Sequence, residues 1–120
     1  MYKPIDYCNA NINGTAMLYD AIINNKELRK NIKKIILASS KTIYGEGAYS
    51  CSEHGLMFPE LRPLEQLKKK DWELHCPQCN NAMSIAPIPE SKPPHLLSMY
   101  AMTKYSAERL AMMYEPARTS

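Results

Sequence analysis

Lys34-Ile35-Ile36-Leu37-Ala38-Ser39-Ser40 is the stretch that decides the fold. A short continuous apolar run with β-branched residues, polar at both ends, reads as a strand buried on both faces, as in a parallel sheet flanked by helices. Upstream, from about Cys8 to Lys26, the positions Ile12, Ala16, Tyr19 and Ile23 recur at i, i+4, i+7 and i+11. Thr15, Leu18 and Ile22 widen that stripe, so the segment is predicted to be an amphipathic helix. Pro4 and Asp6 suit the approach to a helix start. Gly14 inside the helix costs about 1 kcal/mol relative to alanine and is expected where another backbone comes close. A helix, a buried strand and a Ser/Thr/Gly loop form the second half of a βαβ unit, an α/β arrangement. Ligands of such sheets bind at the carboxyl ends of strands, the place that Ser39-Ser40 occupies.

The bulk of the chain agrees with one globular domain at most. It has 120 residues, 45% hydrophobic and 22% charged, with a formal net charge of +3. Lys68-Lys69-Lys70 runs directly into Asp71, the pattern of a solvated helix face, and no nucleic-acid partner is expected. No apolar run approaches the length of a membrane span and the N-terminus carries no signal-peptide core, so the expectation is a cytoplasmic protein without a membrane partner. In a reducing compartment four cysteines point to metal before disulfide.

Residues 45–97 differ in character from the rest, holding most of the prolines, three of the four cysteines and all three histidines. A connection of that length needs structure of its own. Leu64 to Leu74 suits a short helix, and Pro87-Ile88-Pro89 and Pro93-Pro94 are extended and rigid. Cys51-Ser-Glu-His54 and Cys76-Pro-Gln-Cys79 are two pairs of metal-ligand spacing, and each pair can wrap a turn around one ion. Together they make a Cys₃His set, the closed tetrahedral geometry of structural zinc, with Asn80 suited to the tight turn behind the second pair. His75 or Cys8 could replace His54 in that set. The ion would stabilise a segment too polar to hold a core unaided.

Beyond the prolines, Ser98 is a candidate N-cap for a last helix running to about Glu115, ahead of Pro116. Tyr100 and Lys104 fall four apart on one face of it, together with Ala107 and Ala111. An ammonium beside a phenol favours the phenolate, which fits the tyrosine for proton transfer.

Three pieces in this order, Asn11-x-x-Gly14-Thr15, Ser39-Ser40-x-x-x-Tyr44-Gly45 and Tyr100-x-x-x-Lys104, resemble the extended short-chain dehydrogenase/reductase family, the NAD-dependent epimerases and dehydratases. Tyr44-Gly-Glu-Gly-x-Tyr49-x-Cys51-x-x-His54-Gly55, Arg62-Pro63, Asp71-Trp72-Glu73 and Cys76-Pro-x-Cys79 resemble a cysteine-bearing insertion in the branch of its nucleotide-sugar 4-epimerases that acts on a dTDP-6-deoxyhexose. The resemblance implies a fragment of a Rossmann-type doubly wound parallel sheet. Residues 1–44 and 98–120 would be a partial NAD-binding domain, and 45–97 a cysteine- and proline-rich zinc-binding insertion. It implies NAD-dependent oxidation and reduction at sugar C4 through a 4-keto intermediate, on a nucleotide-sugar substrate. In that role Tyr100 is the base that takes the C4 hydroxyl proton, and Lys104 holds the nicotinamide ribose. Ser40 hydrogen-bonds the reacting oxygen, and Asn11 lines the cofactor site. Lys41-Thr42 stand where the family's dehydratases carry an acidic pair, which favours epimerisation. The family's subunits commonly pair through two long helices, here 8–26 and 98–115, so a homodimer is implied.

The chain departs from the family in one respect that matters for NAD. Its glycines are Gly14, Gly45, Gly47 and Gly55, and no Gly-x-Gly-x-x-Gly loop is present to cradle a pyrophosphate. The expectation is a middle portion of an epimerase in which NAD binding is weak or absent. The alternative is a catalytically inactive, zinc-stabilised binding or dimerisation module derived from such an enzyme.

Overall fold

The computed structural model describes residues 3–118, with side chains to Tyr114. The chain divides into two compact units, Met1–Ile43 with Leu96–Ser120, and Tyr44–His95.

The first unit is helical. Helix α1 (Pro4–Tyr7) passes without a break into a π-helical stretch, Cys8–Asn13, and then into α2 (Gly14–Asn24). The predicted helix is therefore present, but it begins at Pro4 and its first turns are wider than α-helical. Its buried stripe is narrower than expected. Tyr19 and Ile22 are sealed and Asn11, Ile12 and Thr15 half-covered, whereas Ala16, Leu18 and Ile23 face solvent. A methyl group at Gly14 would meet only the Asn9 carbonyl, at 3.5 Å, so the glycine marks the end of the wide turns and not the approach of a second element. Asn25 leaves helical geometry and its side chain accepts from the amides of Glu27 and Leu28, capping α3 (Lys26–Asn31). The last helix, α5 (Met99–Arg118), starts as expected: Ser98 Oγ accepts from the Ala101 amide at 3.1 Å. It runs on through Pro116, which near a helix end removes one backbone bond without stopping the turn. Its sealed positions are Ala101, Thr103 and Ala107, and small side chains there allow close packing.

The expected parallel sheet is not formed among the described residues. Residues 32–40 are extended, yet no backbone amide from Lys33 to Ser39 joins a ladder, and no parallel strand pair exists among the described residues. The physical reason is visible in the exposure. Ile35 and Leu37 turn toward the helices, while Ile36 stands 88% exposed, so the run is covered on one face only. A lone extended segment has the composition of a buried strand and none of its neighbours.

The second unit carries the only sheet among the described residues, three antiparallel strands in the order β2-β1-β3. Strand β1 (Ala48–Cys51) pairs with β2 (Gly55–Met57) and with β3 (Ser84–Ala86), Tyr49 lying opposite both Met57 and Ile85. Gly47, at φ +94°, turns the chain into β1 where a side chain would press on Ile88 at 3.4 Å. The expected helix from Leu64 is short, α4 (Leu64–Lys68). It stops because Lys70 adopts φ +59° and the Gln66 side chain takes the carbonyls of Asp71 and Glu73. Arg62 fastens the following segment by donating to the Trp72 carbonyl at 2.7 Å and to Glu46 at 3.2 Å. Cys51, Leu74, Cys76 and Met83 form the core, with Tyr49, Met57 and Cys79 packed on it. A core so small, half of it cysteine, needs a further constraint to hold.

A candidate metal centre and a tyrosine–lysine helix

Two chain turns of the same design build the centre in residues 44–95. Cys51 ends β1, and the turn that follows aims the amides of Glu53 and His54 back at its sulfur. Cys76 follows the backbone bridge between His75 and Ala82, and the amides of Cys79 and Gln78 point at its sulfur in the same way. Asn80, at φ +60°, donates its amide to the Cys76 carbonyl at 2.8 Å and closes the second turn. Gly55, at φ +71°, releases the chain from the first turn into β2.

The four side chains Cys51, His54, Cys76 and Cys79 converge, their ligand atoms all within 4.8 Å of one another. His54 Nδ1 lies 3.5 Å from Cys51 Sγ and 3.5 Å from Cys76 Sγ, and Cys51 Sγ lies 3.6 Å from Cys79 Sγ. A tetrahedral ion with metal–sulfur bonds of about 2.3 Å and metal–nitrogen bonds of about 2.0–2.1 Å has edges of roughly 3.5 Å between S and N and roughly 3.8 Å between S and S. These three edges match, so the cluster could hold a metal such as zinc. His54, and neither His75 nor Cys8, completes the set. Both ring nitrogens of His75 are engaged, Nε2 with Asp71 at 2.8 Å and Nδ1 with the Asn80 carbonyl at 3.2 Å. Cys8 is exposed on the π-helical stretch.

Electrostatics point the same way. The Glu53 amide, helped by the His54 side chain and amide, pulls the Cys51 thiol down to about 6 against the effect of burial. Burial opposes ionisation of Cys76, and the Cys79 and Gln78 amides outweigh it, leaving that thiol below its ordinary value. At Cys79 the Asn81 amide favours the thiolate, but burial and the Cys51 and Cys76 sulfurs prevail and push it up to about 11. His54 is raised, chiefly by Cys51. Thiols pressed this close cannot all ionise without a cation among them, although the backbone is arranged to receive thiolates.

The helical unit brings the other sequence-derived residues together. Asn11 Nδ2, on the π-helical stretch, donates to Thr103 Oγ1 at 3.0 Å, and Thr103 Oγ1 donates to the Tyr100 carbonyl at 2.9 Å. The Lys104 ammonium donates to the Ala38 carbonyl at the end of the extended run. Tyr100 is 39% exposed and meets the Tyr7 ring edge-on at 5.8 Å. Ser40 Oγ and Thr42 Oγ1 share a 2.8 Å hydrogen bond. Ser39 donates to Glu108 at 2.6 Å, beside a cavity of about 560 Å³ lined in part by Tyr19, Ile35, Leu37 and Tyr114. Sequence reasoning missed Thr103, the buried hydroxyl that links the asparagine to the Tyr100 backbone. The signal available was its place between Tyr100 and Lys104, one helical turn before the small residue Ala107. No helix of the described residues is long and apolar enough to cross a membrane.

No family model and no solved structure matches the chain. It is similar to part of a sugar epimerase. The relative is dTDP-L-rhamnose 4-epimerase of Burkholderia thailandensis, 31% identical over 100 residues, which are 83% of this chain and 25% of that protein. The chain thus spans about a quarter of the relative's length. A continuous match of 100 residues in a chain of 120 takes in positions 21–100, hence Ser40, Tyr100 and all four residues of the metal cluster.

Proposed function

We propose that this chain is part of an NAD-dependent nucleotide-sugar 4-epimerase acting on a dTDP-6-deoxyhexose, with a structural zinc in residues 44–95. The observation that carries this reading is the joining, within one unit, of the three motif segments that sequence alone left separate: Asn11 on Thr103, Thr103 on Tyr100, and Lys104 on Ala38. The partial likeness to dTDP-L-rhamnose 4-epimerase supports the substrate class.

In this reading Tyr100 takes the proton from the sugar C4 hydroxyl. Ser40 donates a hydrogen bond to the same oxygen as it becomes a carbonyl, and Lys104 holds the tyrosine and the nicotinamide ribose in place. NAD, when bound, supplies the hydride acceptor at C4. Asn11 lines its site. The bare extended run at 34–38 is the inner strand of a Rossmann-type sheet, and strands of the same parallel sheet would lie on both of its edges. Cys51, His54, Cys76 and Cys79 hold the zinc, which cross-links the two turns and performs no chemistry on the sugar. Two subunits pair through α2 and α5, where Met17, Leu18, Met112 and Met113 stand exposed.

The experiment is co-expression of this chain with the remaining segments of a dTDP-L-rhamnose 4-epimerase, followed by assay of C4 inversion on dTDP-sugars. Turnover that disappears in Tyr100→Phe supports the reading. A well-folded assembly that binds NAD and inverts no dTDP-sugar contradicts it. The second reading, an inactive zinc-stabilised module, is favoured by one observation: Cys51 and Cys76, its ligands, are the largest of the fully buried side chains among the described residues.

A further inference from the structure

The sulfurs of the metal cluster differ in exposure, and two of them are within easy reach of each other. Cys51 and Cys76 are sealed at 2% and 1% exposure, whereas Cys79 is half-buried. Cys76 Sγ is held against Met57 Sδ at 3.5 Å and walled by Leu74 and Met83. Cys79 Sγ lies 3.6 Å from Cys51 Sγ, on a turn outside the strands. A disulfide bond of about 2.05 Å then needs the sulfurs to close by roughly 1.5 Å, a motion the turn can make without unpairing β1.

We infer that the cluster is a peroxide-sensitive latch, in which oxidation joins Cys79 to Cys51 and frees the metal; this rests on the zinc reading above. The Cys79 sulfur, the accessible one and a thiolate while it ligates the metal, attacks one oxygen of hydrogen peroxide. The O–O bond breaks, and the departing oxygen takes a proton and leaves as water. Cys79 now carries a sulfenic acid. The Cys51 thiolate attacks that sulfur, the S–O bond breaks as the S–S bond forms, and the departing hydroxide takes a second proton from solvent and leaves as water. Two thiolates lose two electrons, and one peroxide with two protons is reduced to two waters. Of the four ligands only Cys76 and His54 remain, too few for a closed site. The core of this unit contains the same cysteines, so loss of the ion loosens residues 44–95.

The test uses the full chain carrying Cys8→Ser, which leaves only the three cluster thiols. Zinc content is measured first, by native mass spectrometry. Hydrogen peroxide is then added in step with the protein, a chromophoric chelator reports released zinc, and peptide mapping identifies the disulfide. Release of the zinc in parallel with a Cys51–Cys79 link, both reversed by dithiothreitol and added zinc, is the expected result. Zinc that stays bound while thiols are consumed, or a Cys76–Cys79 link, overturns the latch. A chain that holds no zinc before peroxide is added contradicts the zinc reading instead, and the peptide map still decides the pairing.

Discussion

At the scale of single residues, the account depends on what each cluster sulfur is doing. Cys51 and Cys76 are at once candidate ligands and core, so Cys51→Ser or Cys76→Ser should abolish metal binding and unfold residues 44–95 together. Cys8→Ser should leave both untouched, as zinc stoichiometry and tryptophan fluorescence from Trp72 will show. Metal affinity should also depend on pH with a definite sign. The native Cys51 thiol sits at about 6, below its ordinary value of 9.0, so its contribution to stability is fully present above 9.0 and lost as pH falls through about 6. Protons compete with the metal for the cluster sulfurs, so zinc affinity should fall as pH is lowered, measurable by equilibrium dialysis. In the helical unit, Thr103→Val strands the Asn11 amide against an apolar side chain. Its expected cost is roughly 1–3 kcal/mol in chemical denaturation. Thr103→Ser keeps the hydroxyl and should recover most of that loss.

At the scale of elements, the extended run 34–38 makes the sharpest prediction. Ile36 is 88% exposed, so Ile36→Lys should leave the stability of the chain unchanged, within about 0.5 kcal/mol. Leu37 lines the cavity beside α2 and α5, so Leu37→Asp should destabilise the helical unit. If neighbouring strands complete the sheet, Ile36→Lys should also abolish assembly with them, read by co-purification. The same run shows what the sequence conveyed and what it withheld. Its apolar, β-branched composition records burial on two faces, and that record is legible whether or not partner strands are present. Strand pairing is not a property of one segment, so the ladder could not be read from residues 34–38. Helix α2 was legible as a helix from its spacing, but the π-helical turns at Cys8–Asn13 were not. Of the expected stripe, Tyr19 and Ile22 are sealed and Ile12 and Thr15 half-covered, whereas Ala16, Leu18 and Ile23 face solvent and the polar Asn11 is half-covered instead. The metal cluster was legible almost in full, because two ligands at x₂ spacing fix a local turn whatever surrounds them. The choice of His54 over His75 needed coordinates, since it turns on Asp71 and Asn80 engaging the His75 ring.

At the scale of the whole molecule, two compact units rest on different sources of order. Residues 44–95 have a short three-stranded sheet and a cysteine core, and their stability should follow metal occupancy. The helical unit has an extended segment that joins no ladder among the described residues, and its stability should follow what pairs with it. Both dependences agree with a chain that matches about a quarter of a longer epimerase. The most direct measurement is native mass spectrometry of the 120-residue chain purified from zinc-replete cells and sprayed with and without NAD. The account expects the mass of the chain with one zinc, lost together with β-structure when a chelator is added. A folded chain whose mass shows no metal, and whose circular dichroism ignores chelator, would contradict it.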